Sequence, residues 1–428
     1  MKYSVTEYKL KNGGKGLIVN VPDSPVMFSQ INFRAGARYV KDYAKKSETA
    51  HIMEHMAFGA NKFFSSAHDY DLEFTKNGAY HNAFTGELYL NYLTTSAAFE
   101  WDRILKLQHL SVATPKFIED EFKSEFGNVR SELTGYLSQP GRILWPRLAQ
   151  AMGDPIKTIQ EGLDSMKNVT LDDIKEHYRR THTAKNMRFV VAGDFGGDKL
   201  EKLHNILDDF QLQPGARLSL PKDKLKSAPT FVVRRKDVPS ILLALSLSIP
   251  RKLNDIEIQA MNILNYILNG SLHSRVQGEA RRRGLLYYMW SQSSVFDCGY
   301  SDWSFGSEIN ESNLAAVINL LVREIERIKN GFIDAEDIEA AKSYGLGRHQ
   351  IGMQTTSQLA GFLGSRYFYN NVIDDFAEMP NRIKSIKAQQ IIDLVREFIA
   401  SDCWSIGLYG NTRKSVADDL YTRLAKLF

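Results

Sequence analysis

The stretch SETAHIMEHMAFGANKF, residues 47–63, sets His51 and His55 four residues apart with Glu54 beside the second. On a helix, positions i and i+4 share a face with their β-carbons about 5–6 Å apart. Two imidazoles would then converge on one point, as the tetrahedral shell of a zinc ion requires. Glu54, three residues after His51, shares that face and could reach a water activated by the metal without being a ligand itself. A single histidine on an apolar face is usually a core residue. Two in this register, from a chain with ten histidines, read as metal ligands.

That reading needs a helix at about 48–58. Ser47 is suited to cap it, Glu48 to its first turn and Gly59 to its end. A catalytic zinc takes three protein ligands and leaves a fourth position for water, so another His, Glu or Asp must come from a neighbouring element. Residues 114–140 read as a long helix, with Thr114 as cap, Pro115 in the first turn and Pro140 as the stop. Phe122, Phe126, Val129 and Leu133 form its core-facing stripe. Glu125 and Glu132, two turns apart, share a face beside that stripe. Long surface helices carry many glutamates, and Glu119, Asp120 and Glu121 stand on this one too, so the helix alone does not single out a ligand.

A chain of 428 residues is too long for one ordinary core. Its 43% hydrophobic and 24% charged content is that of a soluble globular protein. No apolar run approaches the roughly 18 residues needed to span a bilayer, so no membrane partner is expected. A net charge of +4 gives no support for nucleic-acid binding. Cys298 and Cys403 are too few for a disulfide framework or a cysteine-type zinc site. The opening MKYSVTEYKLKNGGKG is polar and without a signal segment, so a cytoplasmic address is expected. Residues 192–198, AGDFGGD, follow a predicted strand, but Gly193, Gly196 and Gly197 lack the order of a nucleotide-binding loop and read as a turn. His81, His177 and His182 read as surface or packing residues.

Pro214, Gly215, Pro221 and Pro229, set among Lys and Ser, mark a linker near the middle of the chain. It divides an N-terminal domain, 1–213, from a C-terminal one, 230–428, with 214–229 between. Each half opens with alternating apolar strands, MFSQINFRAGA and SILLALSLSIP, and enters a helix pair. Each closes on an apolar strand ending in Gly, NMRFVVAGDF and CWSIGLYGNT, followed by a short helix. The expected fold is α+β: two similar domains, each a mainly antiparallel sheet covered by helices on one face. The second half has no counterpart of His51, Glu54 and His55.

H-x-x-E-H is the inverted-zincin signature. With Glu125 and Glu132 in the helix that follows, the chain resembles the pitrilysin/insulinase family of zinc peptidases. LKNGGKGLIVNVPDSP and FRAGARYV resemble the family's first strands, and NGAYHNAFTGELYLNYLTT its edge strand. LNGSLHSRVQGEARRRGLLYYMWSQ resembles the segment carrying its Arg/Tyr substrate-binding pair. Nearly the whole chain is covered, in the two-domain form related to processing peptidases.

The resemblance implies that His51, His55 and Glu132 bind one zinc ion per chain. Glu54 would be the general base and Glu125 the carboxylate that orients the site. Asn82 and Ala83 would offer backbone and amide groups to an extended peptide. Arg281 would pair with Tyr288 in the ungapped reading, which is preferred, or with Tyr287 when the segment is aligned on its glycine. The implied activity is zinc-dependent endopeptidase action on extended peptides or flexible protein termini. The larger family members fuse four such domains, so a homodimer, or a heterodimer with a homologous subunit, is expected. The alternative is a non-catalytic homologue, a structural or chaperone-like subunit of a peptidase complex. HMAFGANKF departs from the family's usual bulky-apolar-then-Lys-Gly-Thr ending.

Overall fold

The apolar runs become the strands of two sheets in a computed structural model that describes residues 2–428. The first sheet holds β1 (Ser4–Lys9), β2 (Lys15–Asn20), β3 (Val26–Phe33), β4 (Tyr80–Thr85), β5 (Leu90–Ala97) and β6 (Met187–Gly193). Their order is β1-β2-β6-β3-β5-β4, with only β2 and β6 parallel. The second holds β7 (Phe231–Arg234), β8 (Ile241–Ile249), β9 (Met289–Phe296), β10 (Tyr300–Ile309) and β11 (Trp404–Gly410). Its order is β7-β11-β8-β10-β9, with only β7 and β11 parallel. Strand for strand this repeats the first sheet without β1. The internal duplication is one of topology.

Successive side chains of a strand point to opposite faces, so an apolar strand needs cover on both. In the first sheet Ile18, Ile31, Phe189 and Val191 enter the larger core beneath the helices that follow β3 and β5. Leu17, Val19, Val190 and Ala192 point the other way, onto Leu359, Leu363 and Tyr367 of the helix Thr356–Asn370. The second sheet matches: Leu243, Leu245, Trp303 and Ile406 enter the larger core. Ala244 and Tyr409 face Leu144 and Leu148 of the helix Pro140–Ala151.

The compact units are therefore discontinuous in sequence, unlike the continuous halves 1–213 and 230–428 read from the chain. One comprises Met1–Tyr136, Ile159–Leu220 and Gly352–Asp374; the other Leu137–Thr158, Pro221–Ile351 and Asp375–Phe428. Each half lends the other one helix, the piece that covers the second face of its sheet. The Pro-rich stretch is divided too, at Leu220 and Pro221.

The predicted helix 114–140 is shorter, Glu119–Tyr136. Thr114 closes the preceding helix Trp101–Ala113, its N–H reaching Leu110 O. Pro115 pairs as an isolated bridge with Asn61, and Phe117 takes a left-handed φ of 49°. Pro140 does not stop this helix but stands at the first turn of the next, Pro140–Ala151, where its missing N–H costs nothing.

Candidate metal centre

The motif helix runs Thr49–Ala57, after Glu48. Ser47 does not cap it; its hydroxyl pairs with Ser165 Oγ at 2.9 Å. Ile52, Met53 and Met56 bury the helix in the larger core of its unit. This leaves His51, Glu54 and His55 on the side toward Glu119–Tyr136, whose own stripe is anchored by Val129 and Leu133.

The two helices bring together His51, His55 and Glu132. Glu132 Oε2 lies 3.7 Å from His51 Nε2 and 3.5 Å from His55 Nε2. One ligand atom from each residue falls within 4.8 Å of the others. Zinc bonds of about 2.0–2.1 Å would set tetrahedral neighbours about 3.4 Å apart, so the spacing suits such an ion. The other ring nitrogens are occupied from behind. His51 Nδ1 meets Glu48 Oε2 at 3.1 Å, and His55 Nδ1 meets Glu125 Oε2 at 3.0 Å. A carboxylate there fixes the tautomer that leaves Nε2 free to ligate. Glu125 also accepts Asn128 Nδ2 at 3.2 Å, and Glu132 Oε1 accepts the Tyr136 hydroxyl. Two imidazole nitrogens and one carboxylate oxygen are a fitting donor set for zinc.

The electrostatics agree with an assembled site. Burial works against charge on His51, but the Glu132 and Glu48 carboxylates outweigh it and raise its pKa to about 10. Glu132 is held at about 2, chiefly by its hydrogen bond from His51. Glu125 is lowered by His55. Glu54 is raised, because burial outweighs its Thr85 hydrogen bond and the two histidines. Thr85 Oγ1, at the end of β4, donates to Glu54 Oε2 at 2.5 Å.

Glu48, Thr85 and Tyr136 were not read as site residues from the sequence. Glu48 lies three before His51 and Tyr136 four after Glu132, so helical register carries both signals. Thr85 arrives by tertiary packing and leaves none. Glu48 has room because residue 162 is glycine: a β-carbon there would sit 2.7 Å from Glu48 Oε1.

Asn82 and Ala83 lie on β4, the outermost strand of its sheet. The Ala83 N–H donates to Asn82 Oδ1 at 2.9 Å, so the side chain of one covers the backbone group of the other. In the second unit, Arg281 lies in the last turn of the helix Gln277–Arg282, and its guanidinium carbon lies 4.2 Å from the centre of the Tyr287 ring. It also donates to Tyr287 O at 3.0 Å. The contact falls on Tyr287, not on the preferred Tyr288. Both tyrosines precede β9 and both are exposed, so the alternation expected of a strand does not separate them. His177 and His182 are buried, bonded to Ala35 O and to the Tyr92 hydroxyl.

A duplicated α+β scaffold in which one unit carries an H-x-x-E-H helix facing a glutamate helix is the class of the inverted zincins. Residues 18–154 match the family model described as Insulinase (Peptidase family M16), and residues 168–344 the one described as Peptidase M16 inactive domain. The chain is 24% identical over 408 residues to Zinc protease PqqE of Helicobacter pylori, covering 91% of this chain and 89% of that one. It is 21% identical over 267 residues to Non-peptidase homolog YmxG of the same bacterium, covering 59% and 58%. A solved protease from Helicobacter pylori shares the fold with a TM-score of 0.81 at 20% identity, over 95% of this chain and 100% of that one. The chain belongs to the pitrilysin/insulinase family, peptidase family M16, in its two-domain form. Among the described residues no helix is long and apolar enough to cross a membrane.

Proposed function

We propose that this chain is a zinc-dependent endopeptidase acting on extended peptides or flexible protein termini. The gathering of His51 Nε2, His55 Nε2 and Glu132 Oε2 beside the Glu54 carboxyl carries that reading. His51, His55 and Glu132 would hold one zinc ion, and when bound it supplies Lewis acidity toward water and the scissile carbonyl. Glu54 takes the proton of the attacking water and returns it to the leaving amine. Burial raises its pKa toward the range in which both transfers are feasible. Thr85 fixes which Glu54 oxygen stays free.

An extended peptide would lie along β4, adding a strand to the sheet edge. Asn82 would release the Ala83 N–H to it. Arg281, with Tyr287 or Tyr288, would hold substrate carbonyls, contributed by a second copy of the chain or by a homologous subunit. Recognition through backbone hydrogen bonds demands an unfolded segment, so rigid native domains are expected to resist cleavage.

The names Peptidase M16 inactive domain and Non-peptidase homolog YmxG favour a second reading, a structural subunit without turnover. One experiment separates the two. Glu54→Gln should keep stoichiometric zinc and lose peptide hydrolysis, whereas His51→Ala and Glu132→Ala should lose the metal. Wild-type protein that carries zinc yet cuts nothing in a mixed peptide library would establish the second reading. A Glu54→Gln variant cutting at the wild-type rate would remove Glu54 as base.

A further inference from the structure

The second unit holds a cavity of about 460 Å³ against the face of its sheet opposite the larger core. Its floor is a polar grid on three strands in register. Ser248 of β8 lies opposite Asp302 of β10, which lies opposite Ser294 of β9. Ser246, Ser304 and Gln292 form the adjacent row. Every one of these alternates with a residue of the other parity, among them Leu245, Leu247, Trp303 and Phe305 of the core. The helix Pro140–Ala151 covers β8 and β11 on this side, and its Trp145 forms one wall. Trp290 packs against it, with ring centres 5.0 Å apart. Gln292 is exposed at the mouth, on the edge strand β9.

The charge inside is one-sided. Asp302 Oδ1 accepts the hydroxyls of Ser246 and Ser248, the second at 2.8 Å. A second carboxylate, Asp154, accepts the Tyr300 hydroxyl at 2.9 Å. No described lining residue is Lys, Arg or His. Burial pushes the Asp302 carboxyl up despite its serine donors. Hydroxyls solvate a carboxylate but do not neutralise it, and a desolvated carboxylate favours a cationic partner. Indole faces attract cations too. The volume lies in the range of small-ligand sites, about 300–1,000 Å³.

We propose that this cavity binds an organic cation, a guanidinium or alkylammonium group on an aliphatic stem. Asp302 is its counter-ion, and the packed pair of Trp145 and Trp290 forms one wall beside the stem. The site is independent of the metal centre and of the peptidase reading.

The test uses the full-length protein and butylguanidinium, with butylurea as its neutral isostere, read by tryptophan fluorescence and calorimetry. Butylguanidinium should bind saturably, and butylurea about tenfold more weakly or worse. Asp302→Asn should erase that preference. N-acetyl-arginine amide separates the sources: tighter binding than the bare stem points to a side chain of a peptide, weaker binding to a free small cation. Equal binding of the charged and neutral probes to wild-type protein, or no saturable binding, overturns the proposal even if Asp302→Asn fails to fold. So does an Asp302→Asn protein that keeps the preference.

Discussion

Each imidazole of the candidate centre is backed by a carboxylate, Glu48 behind His51 and Glu125 behind His55. Outer partners of this kind typically carry about 10–100-fold in metal affinity. Glu48→Gln is therefore expected to weaken zinc binding by about that factor, measured by competition with a chromophoric chelator. Gly162→Ala, which touches no ligand, should act in the same direction by displacing the Glu48 carboxylate. The same contacts set a proton balance. With its pKa raised from 6.5 to about 10, His51 of metal-free protein carries a proton at neutral pH. A zinc ion bound there would displace it. Calorimetry in buffers of different ionisation heat should show proton release near pH 7.5, and apparent affinity should rise with pH below about 10. In metal-free protein the stability from protonated His51 is complete below 6.5 and is lost as pH rises through about 10. Thermal melts of chelated protein across that window check the sign.

At the scale of elements, the helix Thr356–Asn370 depends on three arginines of its own unit. Arg34 donates to Tyr369 O at 2.8 Å, Arg217 to Phe368 O, and Arg188 Nε to Asn371 Oδ1 at 2.7 Å. Cations at the open carbonyls of a helix C-terminus meet its dipole. Arg217→Gln is expected to cost about 0.5–1.5 kcal/mol, an ordinary hydrogen bond's worth, because burial and the neighbouring Arg188 and Arg34 disfavour the Arg217 charge, with additional loss from its stacking on Phe368. Chemical denaturation of the two proteins compares them. Such dependence was not legible in the sequence, and the reason is general. Alternating strands and the i, i+4 histidines are local patterns, and local pattern fixed β3, β6, β8, β11 and the motif helix. Thr114, Pro115 and Pro140 also looked local, yet each suits a helix start and a helix end almost equally well, and contacts with Leu110 and Asn61 decided between them. Helix exchange has no local signature: both faces of an alternating apolar strand look like core, whichever segment covers them.

At the scale of the whole molecule, the chain repeats one topology, and among the described residues only the first copy gathers a His-His-Glu cluster. The three candidate ligands come from two helices of one unit, Thr49–Ala57 and Glu119–Tyr136. Chelating the metal should raise amide hydrogen exchange in those helices while leaving the strands of the second unit protected. Matched loss of protection in β8 and β10 would mean that the ion holds more than its own unit together.

The borrowed helix also sets an order of events during synthesis. A growing polypeptide that has emerged only as far as Ile351 holds β1–β6 and the motif helix, but Leu17, Val19, Val190 and Ala192 still face solvent. The nascent first unit must wait, with one greasy sheet surface bare, until the segment Gly352–Asp374 has emerged. A stalled chain from which residues up to Ile351 have emerged should recruit holdase chaperones, and one from which Asp374 has emerged should release them.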